Sequence, residues 1–367
     1  MNYGIGPDLI RVESRPAQAN STIRLCPPSQ VAQKMDEWEE WCVAQGFELP
    51  SSNPLWMRVF QKGFGHQSYC IEQSCNEKIT ALIPLSYMQS LLFGRFLVSL
   101  PYLNVGGVLT APGVDPTDAI SAATDLADKL SVRHLELRHE TPHPHERMNH
   151  QFEQKVHMRL DMPEKLSDLW DGFKPKVRNQ VRKGTKSGVT IEWGREDLLD
   201  EFYAIFSRNM RDLGTPVFSS RLFRAILEEF PDSAELCIAR LGKIPVAAAL
   251  LIHGRGITEV PSASSLRPYN STCANMLMYW HLLMRSFERG QRQFDFGRTT
   301  ADSPTFAFKK QWGARPHNAS WQFYVRSGSV HSMRPESGRY STAIRIWRRL
   351  PVALTNVIGP SIIRGVP

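Results

Sequence analysis

Two adjacent lysines, Lys309 and Lys310, stand in an aromatic-rich stretch, Phe306-Ala307-Phe308-Lys309-Lys310-Gln311-Trp312-Gly313. The stretch suits a short helical turn, on which neighbouring side chains point different ways, so one lysine can face a cleft and the other solvent. An ammonium held beside a reacting carbonyl stabilises the negative charge that develops during acyl transfer. Phe308 and Trp312, four residues apart, either line a bound substrate or pack as core at helical spacing. Upstream, Phe294-Asp295-Phe296-Gly297-Arg298-Thr299-Thr300 reads as a buried strand ending in Asp, Gly and Arg, where polar groups are costly unless partnered. Asp295 is a candidate to orient an acceptor amine or Arg298; alternatively Asp295 and Arg298 form an internal pair that fixes the loop. Arg298 has the guanidinium geometry that suits a phosphate or carboxylate.

Lys174, Arg178, Arg182 and Lys186 follow at successive i, i+4 positions, forming a cationic stripe opposite the apolar Phe173, Val177 and Val181. This is a solvated basic face or a phosphate site, with Arg178 the candidate ligand. Ser99-Leu100-Pro101-Tyr102-Leu103-Asn104-Val105-Gly106-Gly107 and Val260-Pro261-Ser262-Ala263-Ser264-Ser265 are loop-like; Tyr102, Asn104 and Ser262 could hydrogen-bond a sugar or peptide there. Neither stretch has the spacing of a Walker loop, a Rossmann fingerprint or a G-x-S-x-G elbow. His139, His143, His145 and His150 crowd one polar loop without carboxylate or cysteine ligands at fitting spacing, so no metal and no tightly bound cofactor are expected.

These groups must be positioned by elements that occur twice. In the first half the pattern predicts strand 22–26, helix 31–45, strands 68–71, 79–87 and 95–100, helix 118–130 and strand 134–138. The second half predicts helix 170–186, strand 189–193, helices 197–213 and 220–230, strands 235–240, 246–253 and 256–262, helix 275–289 and strand 293–297. Ser99-Leu100-Pro101 corresponds to Glu259-Val260-Pro261, and Leu135-Glu136-Leu137-Arg138 to the segment Phe294–Arg298. A β-β-β-α-β order repeated in this way implies a layered α/β fold of helices on mixed sheets, with a ligand cleft between the halves.

With 367 residues the chain exceeds one ordinary core. A net charge of +8 favours an anionic partner: a phosphate-bearing substrate, RNA or an acidic membrane surface. The six cysteines sit singly in mostly apolar segments, as free thiols do in a reducing compartment. Residues 1–20 lack the apolar core of a signal peptide, and the longest apolar run, 244–252, is too short to span a bilayer. A cytoplasmic protein is the expectation.

Taken together, the Lys176–Lys186 stretch, Arg211-Asp212-Leu213-Gly214-Thr215-Pro216-Val217, Phe294–Arg298 and Phe308-Lys309-Lys310-Gln311-Trp312-Gly313 resemble the FemAB family. The likeness is greatest to FemAB-like proteins of bacterial exosortase (PEP-CTERM) and exopolysaccharide loci, and it covers about residues 22–330. The resemblance implies two tandem acetyltransferase-like (GNAT) domains, at 22–155 and 156–330, with the active site in the second and a Phe-Lys pair that falls on Phe308 and Lys309. It implies transfer of an acyl or aminoacyl group from acyl-CoA or aminoacyl-tRNA to an amine on a cell-envelope or exopolysaccharide precursor, such as a lipid-linked saccharide or peptide. Lys309 would support charge on the reacting group, without a covalent enzyme intermediate. Residues 331–367 form a basic amphipathic tail that either packs on the body or touches the inner membrane peripherally. The alternative reading is a non-catalytic module of transferase-like fold that binds RNA or polysaccharide.

Overall fold

The β-branched and aromatic segments of the sequence pair into strands, and in the computed structural model, which describes residues 21–327 and 341–366, they form one mixed sheet. The first half supplies β1 (Ser21–Cys26), β2 (Gln67–Cys75), β3 (Lys78–Ser90), β4 (Gly94–Val98), β5 (Leu109–Thr110) and β6 (His134–His139). β7 (His150–Asp161) leads into β8 (Val189–Gly194), β9 (Ala234–Leu241), β10 (Ile244–His253), β11 (Ile257–Ser265), β12 (Gln293–Thr300) and β13 (Arg315–Val325). The order across the sheet is β1-β2-β3-β4-β6-β13-β7-β12-β11-β10-β9-β8, with β5 on β3.

Each half is an antiparallel meander followed by a helix and a parallel strand. Asn76 and Glu77 both take positive φ and close the β2–β3 hairpin, the conformation that two-residue hairpins favour. The helix Thr117–Lys129 then carries the chain over to β6, which lies parallel to β4. Helix Ala274–Glu288 does the same from β11 to β12. The repeated element order expected from the sequence is therefore present, with one correction to its alignment. The parallel registers set Val98 opposite Glu136 and Glu259 opposite Asp295. The structural equivalent of Glu259 is thus Val98, one residue earlier than the Ser99 that sequence likeness suggests.

The expected helix 170–186 is two helices, Leu166–Gly172 and Pro175–Lys186. Pro175 lacks an N–H and disfavours helical backbone at the residue before it; Lys174 is accordingly extended, with ψ 147. Helix Trp56–Phe64 and strands β7 and β13 were not foreseen. β13 pairs with β6 on one side and β7 on the other, so the sheet runs through the expected boundary at 155–156.

Three larger cores share this frame. Ile83, Leu97, Ile120 and Leu135 pack under helix Thr117–Lys129 in the first half. Val181, Leu277, Leu282, Phe294 and Trp312 pack under helices Pro175–Lys186 and Ala274–Glu288 in the second. Between the halves, Trp38, Trp56 and Phe60 meet Phe202, Phe223 and Ile252 in a common core. All six cysteines are free thiols. No described helix is long and apolar enough to cross a membrane.

Candidate active site

Parallel pairing of β11 with β12 lasts three residues and ends at Glu259 and Asp295. Beyond that point β11 keeps only β10 as a neighbour, while β12 bulges against β7 between Asp295 and Arg298. The bulge is where Gly297 takes φ +78, a conformation that costs most residues and suits glycine. It turns the carbonyls of Gly297 and Arg298 toward the short helix Pro304–Lys310, whose start Ser303 caps by accepting a hydrogen bond from the Phe306 N–H. Lys309 Nζ donates to both carbonyls, at 2.9 and 3.1 Å.

Lys309 is only 6% exposed, and burial, opposed by Asp295 and reinforced by Arg298, pulls its pKa from 10.5 to about 8. An ammonium has three N–H groups, and two are taken. Lys310 is exposed, so the two lysines divide as their helical offset implied.

Asp295 lies 3% exposed beneath the bulge. Its Oδ2 accepts from Arg159 Nε at 2.9 Å and its Oδ1 from the Gly297 N–H at 2.6 Å. Arg159, which lies on β7, thus ties Asp295 into the base of the bulge. Beside it, Glu259 accepts from Ser51, through the hydroxyl at 2.7 Å and the N–H at 3.1 Å. Burial first, and then the Asp295 charge, push the Glu259 carboxyl up to about 8. Two neighbouring carboxyls resist ionising together, so Glu259 is poised to exchange a proton near neutral pH. Sequence reasoning missed both Glu259 and Arg159. The available signal was position, since Glu259 is a carboxylate in a strand otherwise apolar or hydroxylic.

The first half reaches in as well. A Cβ placed on Gly297 would stand 3.3 Å from Asn104 Nδ2 and 3.9 Å from Lys309 Nζ. The Arg298 guanidinium stacks 3.6 Å over Trp321, whose ring also lies 4.1 Å from Arg138, and Trp321 Nε1 donates to Asn104 O. Asn104, Asp295, Arg298 and Lys309 therefore form one constellation.

The other candidates lie elsewhere. Tyr102 joins an aromatic cluster with Phe64 and Phe218, its hydroxyl bonded to His66 Nε2 and to Arg364 O. Trp312 is fully buried against Phe173, which makes it core and corrects its expected place on a substrate. Phe308 is partly buried edge-on to Tyr279. Arg178 pairs with Asp171, and Ser262 sits on the stretch of β11 past its pairing with β12.

The duplicate position in the first half is bonded differently. Between β4 and β6 the Ser99 N–H bonds Glu136 O, Ser99 Oγ accepts from the Arg138 N–H, and the Gly106 N–H bonds Arg138 O. Arg138 also donates to Glu136 and Leu103 O. The loop 99–107 thus carries on the contact past β4 and β6, whereas in the second half the pairing of β11 with β12 stops at Glu259 and Asp295.

A cleft of about 530 Å³ lies between Asp36–Arg58 of the first half and Glu228–Arg255 of the second. Lys309, Asp295 and Glu259 do not line it; it approaches Glu259 through Ile252, its cross-strand partner, and through Pro50 and Ser52, the neighbours of Ser51. Among the described residues no group of three or more His, Cys, Asp and Glu is arranged to hold a metal ion.

Residues 172–310, which span β8 to β12 and end one residue past Lys309, match the family model described as an acetyltransferase (GNAT) domain. Together with the paired meander-helix-strand halves, this gives a tandem GNAT fold whose second half carries the segment that matches an acetyltransferase (GNAT) domain. The chain is similar to FemX at 14% identity, over 79% of this chain and 95% of that one, with a TM-score of 0.58. It is also similar to a tandem GNAT protein from the clavulanic acid biosynthesis pathway, at 12% identity over 84% and 100% of the two chains and a TM-score of 0.51. A third likeness is to the C-terminal domain of a protein from Agrobacterium fabrum assigned as a lysylphosphatidylglycerol synthetase, at 11% identity over 90% and 97%, TM-score 0.54. At these identities the likeness is one of fold. No curated protein matches the chain.

Proposed function

We propose that this protein transfers an acyl or aminoacyl group from an activated ester or thioester to an amine on a cell-envelope or exopolysaccharide precursor, with the chemistry at the β11–β12 divergence. The observation that carries this reading is the buried Lys309 ammonium, anchored by two carbonyls beside the Glu259–Asp295 pair. In this reading the acceptor nitrogen attacks the donor carbonyl carbon while the third N–H of Lys309 stabilises the oxyanion. The neutral acceptor amine passes one proton to ionised Glu259 as the C–N bond forms; the C–S or C–O bond then breaks, and the leaving thiolate or alkoxide takes that proton from Glu259, which restores the carboxylate. Asp295 and Arg159 hold the bulge that aims the lysine, and Asn104 and Arg298 contact the donor or acceptor from the first-half side.

A GNAT domain makes acyl-CoA the typical donor class. Aminoacyl-tRNA is the competing donor, and the exposed Lys174, Arg182, Lys183 and Lys186 on helix Pro175–Lys186 would suit its phosphates. The same basic face supports the alternative of a non-catalytic RNA-binding module. The test incubates the protein with each donor and an amino-sugar or peptide acceptor and reads amide product by mass spectrometry. Product that disappears with Lys309→Met supports the proposal. Salt-sensitive RNA binding with no product from either donor refutes it.

A further inference from the structure

The segment 341–366 crosses both halves as helices Ser341–Trp347 and Val352–Ile363. Over the second half, Arg211 donates to Leu350 O and Arg348 to Leu213 O, and Gly359 lies so close to Val217 that a Cβ would stand 2.9 Å from its nitrogen. At the first half, Tyr102 donates to Arg364 O at 3.0 Å, and a Cβ on Gly365 would stand 2.6 Å from Ser90. The end of the segment therefore abuts the hairpin between β3 and β4.

Helix Val352–Ile363 contains no charged residue. Thr355 and Gly359 face inward, while Leu354, Val357 and Ile358 are exposed on the opposite side. At the adjoining hairpin tip Leu91 is fully exposed and Leu92 is 77% exposed. Isolated exposed apolar residues are ordinary, whereas a neighbouring group of this kind marks an interaction surface. Its charge indicates the partner. Residues 341–366 carry Arg345, Arg348, Arg349 and Arg364 and no carboxylate, and residues 84–98 carry Arg95 and no carboxylate.

We propose that this patch docks the protein on an anionic phospholipid surface, the leucines, Val357 and Ile358 entering the acyl boundary and Arg345, Arg349 and Arg364 meeting headgroup phosphates. Arginines flanking exposed aliphatic residues are the pattern of interfacial attachment. A second copy of this chain fits poorly, because twofold contact would set these arginines against their own counterparts. RNA would leave the aliphatic residues without a partner. Tyr102, which is bonded to the segment, precedes Asn104 by two residues in the chain.

Flotation of the full-length protein with vesicles tests this. Wild type is expected to float with vesicles of equal parts phosphatidylcholine and phosphatidylglycerol, and not with phosphatidylcholine alone. The variant Leu91→Glu/Leu92→Glu/Val357→Glu should lose roughly tenfold or more of that binding, with unchanged circular dichroism and sedimentation. Arg345→Ser/Arg349→Ser should lower the preference for phosphatidylglycerol. Absence of flotation, equal binding by the glutamate variant, binding to RNA with the vesicles ignored, or a dimer that the glutamate variant splits would each overturn the proposal. Vesicle binding is read without turnover, so this inference can fail while the acyl-transfer reading stands, and the reverse.

Discussion

Replacing Lys309 by methionine keeps an unbranched side chain of similar reach and removes the ammonium. In the folded protein that ammonium has its pKa lowered from 10.5 to about 8 by burial. The folded pKa lies below the unfolded one, so above about pH 8 the unfolded chain binds more protons, and stability rises with pH until about 10.5. Below that window the buried charge costs its full amount, about 3 kcal/mol. At 6% exposure little of this is screened by solvent. Urea denaturation of wild type and Lys309→Met at several pH values isolates the contribution, because other titrating groups cancel in the difference. Wild type should gain roughly 2–3 kcal/mol on the variant between about pH 7 and about pH 10. If the charged form also supports the oxyanion, turnover near neutral pH should fall by about 10²–10³, and wild-type turnover should decline as pH passes through about 8. A stability difference that stays flat with pH, or a variant that keeps turnover within about fivefold of wild type, refutes the assignment.

Four other changes test the same arrangement. Arg159→Met leaves the buried Asp295 without the cation that holds it, and should cost roughly 3–5 kcal/mol in urea denaturation; a loss below about 1 kcal/mol would mean that Asp295 is held by other groups. Gly297→Ala forces a side chain into positive φ and toward Asn104 and Lys309, so stability should drop by about 1–2 kcal/mol and turnover should fall with it. For Glu259, whose folded pKa is raised from 4.5 to about 8, the stability of wild type relative to Glu259→Gln should be greatest below 4.5 and decline as pH rises through about 8. Trp312→Ala should lose about 3–5 kcal/mol of stability, and the KM of the folded fraction should stay unchanged, as befits a side chain in the core.

The repeated meander and the helices were legible because each carries a local signal: apolar residues three to four apart in helix Thr117–Lys129, and short, nearly continuous apolar runs in β9 and β10. Lys309 was legible because the aromatic residues around it predict burial while its neighbour can reach water. β7 and β13 escaped because His, Gln, Glu, Lys, Arg and Asn occupy many of their positions. Their pattern becomes sensible only when β6, β13, β7 and β12 are seen side by side. The roles of Glu259 and Arg159 were hidden for a similar reason, since their partners Ser51 and Asp295 lie 208 and 136 residues away in the chain. Tyr102 and Asn104, two positions apart, go to different neighbourhoods because Leu100 and Tyr102 adopt positive φ and twist the loop between them, strain that no side-chain pattern announces.

The placement of β13 bears on how the molecule is made. As the chain leaves the ribosome, β6 is complete once His139 has emerged, yet its outer row of amide and carbonyl groups has no mate until the stretch ending at Val325 is synthesised. While the 186 residues from His139 to Val325 (325 − 139) are made, the nascent protein exposes a sticky border of the kind that invites pairing with other unfinished chains. Maturation is therefore vectorial only in part: the amino-terminal portion must wait for the carboxy-terminal portion to come back and seal it.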